Sequence, residues 1–142
     1  MSLVSRMWLL FTLFVTGAAV MMVEILGAKV LSPYFGVSLY VWSALITVTL
    51  LSLALGYFLG GKWADRKPGL RTLYGIVACS GLAVAVIPRL TSIVIEATGE
   101  WELRLGTLAS ALVLFGFPLI ALGMVSPFGV RIAANRLENV GS

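Results

Sequence analysis

The chain has 142 residues, 60% hydrophobic and only 11% charged, with a net charge of +4 and a mean hydropathy of +1.05. A soluble domain carries about 25% charged residues, so this composition cannot cover a water-exposed surface and requires lipid as its solvent. With no histidine and one cysteine, Cys79, it argues against metal hydrolysis, a Cys-His or Ser-His pair and a disulfide scaffold, and no basic stripe interleaved with aromatics supports a nucleic-acid partner.

The first apolar run extends from about Met7 to Leu26 and is broken by Glu24 near its end. Arg6, an apolar stretch and then Gly17-Ala18-Ala19 resemble a signal peptide, but the run continues through Val20, Met21, Met22 and Val23, which favours a retained span. The connection from Gly27 to Leu39 holds Pro33, Tyr34, Phe35 and Gly36 and predicts a re-entrant or tightly folded turn. A second run covers about Tyr40 to Gly61, a third about Thr72 to Ile95 with Pro88 and Arg89 inside it, and a fourth about Leu105 to Val125. Each exceeds the length needed to cross a hydrocarbon core of about 30 Å as a helix. From Val130 onward the tail is polar enough to leave the membrane, with VRIAANRLENVGS a candidate interfacial helix. The predicted fold is therefore an all-α integral membrane protein of four transmembrane helices. Residues 1–142 form one membrane domain, without length for a soluble one.

Basic residues set the expected orientation. The segment KWADRKPGLR carries Lys62, Arg66, Lys67 and Arg71; with Arg6, Arg131 and Arg136 it places seven basic residues on one side against Lys29, Arg89 and Arg104 on the other. Both termini are expected to be cytoplasmic, in a prokaryotic inner membrane. Glu96, Glu100, Glu102 and the interfacial Trp101 are then external.

Small residues recur at helical spacing on the second span, Ala44, Ser52, Gly56 and Gly60, and on the third, Gly75, Cys79 and Ala83. In lipid such faces let two backbones approach, so they predict packing seams, within this chain or against another subunit. Gly56 to Lys62 has the spacing of a phosphate-binding loop, yet Trp63 replaces the magnesium-ligating hydroxyl and an apolar span stands where a Gly-rich loop is needed. Nucleotide binding is rejected, and no cofactor or metal is expected. Glu24 and Arg89 each lie 17 positions along their span from Met7 and Thr72, about 26 Å at 1.5 Å per residue, and so at a similar depth. They predict a structural ion pair or, at Glu24, a cation site, with Lys29 as a rival partner or an outward-snorkelling residue.

From Glu24 to Arg66 the chain resembles the N-terminal membrane region of membrane-bound spermidine synthase-like proteins, the polyamine aminopropyltransferases. The similar elements are Glu24, Ser32-Pro33-Tyr34-Phe35-Gly36, Ser38, Tyr40, Trp42, Gly56-Tyr57, Gly60-Gly61 and Ala64-Asp65-Arg66, with Ser126-Pro127-Phe128-Gly129-Val130-Arg131 further on. The resemblance covers about Val23 to Arg131. It implies a membrane part only: aminopropyl transfer belongs to a Rossmann-like domain whose Gly-rich turn and downstream acid have no counterpart here. Gly61, Asp65, Arg66, Gly69 and Arg71 also look like the gate loop of major facilitator transporters, with one residue too many after Asp65.

Three functions follow as expectations. The first is a non-catalytic anchoring or accessory subunit of a larger membrane complex, joined to other membrane subunits or to a second copy. The others are half of a small polyamine or cation transporter, with Glu24 binding the amine, and a membrane anchor recruiting a separate aminopropyltransferase.

Overall fold

The structure, a computed structural model, describes residues 3–66 and 69–138. It contains four helices among them: α1 (Leu3–Phe35), α2 (Leu39–Arg66), α3 (Leu70–Thr98) and α4 (Leu103–Glu138), each long and apolar enough to cross a membrane. Every predicted apolar run falls within one helix. Short connections make successive helices antiparallel.

The helices outrun the predicted spans at their ends, for identifiable reasons. The turn expected from Gly27 to Leu39 shrinks to residues 36–38, because α1 continues through Pro33 to Phe35. Gly27 is not a turn residue: its Cα packs close to Leu45 and Phe115. The Ser32 hydroxyl bonds back to the Ala28 carbonyl, and the helix ends where Gly36 adopts φ +78° and its N–H reaches the Ser32 carbonyl at 2.9 Å. That left-handed cap favours glycine. As far as Glu138 the tail does not form a separate interfacial helix either, and residues 139–142 lie outside the described residues. α4 runs on through Pro127 to Glu138 because its inner face stays apolar, with Val125, Phe128 and Ile132 all buried.

α4 is the central element. Two-thirds of its apolar window is buried, against 22% for α1 and for α3. α2 packs along it most extensively, α3 next and α1 less, and among the described residues no Cα of α2 comes within 8 Å of one in α3. The covered face of α2, Val41, Leu45, Val48, Ser52, Gly56, Gly60 and Ala64, follows the three-four spacing of one helical stripe. The core divides into two apolar clusters at opposite ends. One joins Leu31, Leu45, Val48, Ile87, Leu114 and Leu119; the other joins Leu9, Ala64, Leu73, Val125 and Phe128.

Candidate functional site

The segment between the two clusters is built from small residues. A Cβ on Gly56 would overlap the Ile120 carbonyl oxygen and lie 2.9 Å from Gly123 Cα, and one on Gly60 would lie 2.7 Å from Met124 Cα. Ser52, Gly56 and Gly60 thus form one side of a backbone-to-backbone seam, and α4 forms the other. Gly123, spaced seven residues from Gly116, was the unrecognised half of that seam. Gly75 lies elsewhere. It is exposed, and a Cβ there would meet nothing within 4 Å. The covered face of α3 is instead Leu73, Ile76, Ser80, Ile87, Thr91, Val94 and Thr98.

Glu24, Arg89 and Lys29 are not brought together. Glu24 is half-buried on the side of α1 whose neighbouring positions Gly27, Ala28 and Leu31 are covered, whereas Arg89 and Lys29 are exposed. Among the described residues none of the three forms an ion pair. α1 and α3 touch only marginally, so equal depth along the helices does not become proximity.

At the basic end, Asp65 accepts from Arg131 Nε at 3.2 Å, tying the last turn of α2 to α4. Trp63 meets Phe128 edge-on, with ring centroids 6.3 Å apart. Lys62, Arg66 and Arg71 are exposed, and Lys67 and the side chains of Arg6 and Arg136 lie outside the described residues. The opposite end is tied by side chains that the sequence reading missed. Thr98 and Ser110 hydroxyls are 2.8 Å apart across α3 and α4, and Arg104 donates to the Tyr40 hydroxyl at 3.2 Å with its guanidinium 5.0 Å from that ring's centre. Hydroxyls at Thr91, Thr98, Thr107 and Ser110 were the available signal. On α2, the buried hydroxyls of Thr49 and Ser52 have no hydrogen-bond partner.

The outer face of α1 is bulky: Met7, Phe11, Phe14, Met22, Ile25 and Leu26 are all exposed. On α3, Ala78, Gly81 and Ala85 are exposed at i, i+3 and i+7, with Arg89 one turn further along the same side and the large Leu82, Val86 and Ile93 exposed beside them. Comparison of the chain with protein families, curated proteins and solved structures gives no match.

Proposed function

We propose that this chain is a non-catalytic integral membrane protein with both termini cytoplasmic, and that it acts as an anchoring or accessory subunit by packing α3 against a membrane partner. The observation that carries this is a stripe of small residues on the outer side of α3, Ala78, Gly81 and Ala85, bordered by the exposed Leu82 and Val86. Lipid chains wet large side chains as well as small ones, so the bulky face of α1 suits lipid. Glycine in a helix interior costs about 1 kcal/mol relative to alanine. A close helix partner offsets that cost, because small residues let backbones approach until dispersion contacts accumulate. Arg89, exposed on the same side near the end of the apolar run, gives such a partner a charge to recognise.

The test is purification of the native protein in mild detergent, with mass spectrometry of what accompanies it. A partner should accompany the wild type in fixed ratio and be lost from Gly81→Leu and Ala85→Leu, which leave the covered face of α3 untouched. Recovery of the wild type as a lone monomer at every detergent level would contradict the proposal.

A further inference from the structure

Glu24 has no counter-ion, and the stripe of α2 that stands opposite it carries a buried hydroxyl with no partner. On α1, Leu13, Gly17, Val20 and Gly27 mark the side turned to α2 and α4. The first three line a cleft of about 150 Å³ together with Leu53 and Tyr57, and Gly27 packs against Leu45. Glu24 stands on the same stripe, one turn beyond Val20 and two turns beyond Gly17. On α2, Leu45, Thr49, Leu53 and Tyr57 follow one another at four-residue spacing. Thr49 therefore lies between the residue that meets Gly27 and the two that line the cleft. α1 and α2 are antiparallel, so the Gly27 to Leu45 contact sets their register. Three residues back along α1 and three forward along α2 bring Glu24 level with Val48, about 1.5 Å along the axis from Thr49. Glu24 is 11 residues, about 17 Å, from the end of α1, and Thr49 is 10 residues, about 15 Å, from the start of α2.

Thr49 is 4% exposed with an unbonded hydroxyl, and Glu24 is half-buried and forms no ion pair among the described residues. Lys29 and Arg89 are exposed elsewhere, and the sequence has no charged residue from Leu39 to Gly61 of α2 or from Leu105 to Val130 of α4. A carboxylate inside a span is costly without a partner, so the balancing charge must come from outside the chain. We infer that Glu24 and Thr49 bind a monovalent alkali-metal cation, Na+ or K+. Carboxylate and hydroxyl oxygens suit a hard cation. One negative charge balances one positive charge, whereas a divalent ion would leave an uncompensated charge within the bundle. The cleft one turn away includes Thr16, Tyr57 and Ser126 in its lining, polar residues that let water reach the ion and complete its coordination. This site is independent of the α3 face.

The experiment follows thermal unfolding of the purified full chain in detergent while choline chloride is replaced by sodium or potassium chloride at constant ionic strength. A cation that binds only the folded chain raises Tm by mass action, so the wild type should show a saturable rise with at least one of the two ions. The two titrations distinguish Na+ from K+. Glu24→Gln, which keeps the shape and removes the charge, should abolish the rise. Thr49→Val should move its midpoint to about tenfold higher concentration while unfolding above the wild type in choline alone, a combination that a purely structural role would not produce. Glu96→Gln, at the exposed outer end of α3, should leave the titrations unchanged. The inference is overturned by a Tm that responds to neither ion, by a rise that survives in Glu24→Gln, or by an unchanged midpoint in Thr49→Val.

Discussion

A side chain on Gly56 would begin 2.9 Å from the Cα of Gly123, so these two glycines mark where α2 and α4 meet backbone to backbone. Neither neighbour can give way, because the atoms in contact are main chain rather than the tip of a flexible side chain. Gly56→Ala should therefore destabilise the bundle by about 1–3 kcal/mol, as overpacking does. Gly61→Ala, one residue from the seam's end with open space around it, should be neutral or stabilising by up to about 1 kcal/mol through helix propensity. Thermal unfolding of both variants in one detergent checks the sign of the difference.

The unpartnered hydroxyl of Thr49 should be a net cost. Its position is 4% exposed, and no protein group among the described residues supplies a bond like the one that Thr47 makes to the Ser43 carbonyl. Thr49→Val keeps the shape and removes the polar atom, and should stabilise by about 1 kcal/mol in the same unfolding assay.

Across α3 and α4, the Thr98–Ser110 hydrogen bond is buried and joins the two helices near their shared turn. A double-mutant cycle with Thr98→Val and Ser110→Ala should give a coupling of about 0.6 kcal/mol, the usual size for such bonds between membrane helices. The exposed Asp65–Arg131 pair, with side chains 64% and 48% exposed, should couple by no more than about 1 kcal/mol and weaken as salt is added.

Orientation is tested by labelling. In a Cys79→Ser background, Gly69→Cys should react with a membrane-impermeant thiol reagent only after the membrane is opened, and Glu100→Cys should react from outside in intact cells. Reversed labelling would invert the proposed topology.

The helices were legible because apolar length alone predicts them, and the missing detail sits where packing decides. Nothing in Gly27 to Leu39 shows that Gly27 faces Phe115, so a Pro- and Gly-containing stretch read as a turn although Pro33 lies in the last turn of a helix. Ser52, Gly56 and Gly60 share their four-residue spacing with Gly75 and Cys79, yet only the first set meets another helix of this chain. Spacing reports that a backbone could approach, not that one does. Glu24 and Arg89 fail to pair for a similar reason: sequence position gives depth, while the angular position of a helix around α4 depends on the whole bundle.

The central claim, that α3 presents a docking face to a partner, is tested most directly by a photoreactive residue placed at Ala85 in native membranes, compared with one at Ile25 on the bulky face of α1. The account predicts a single protein adduct of defined mass at Ala85, abolished by Gly81→Leu, and only lipid adducts at Ile25. Lipid adducts alone at both positions would contradict it.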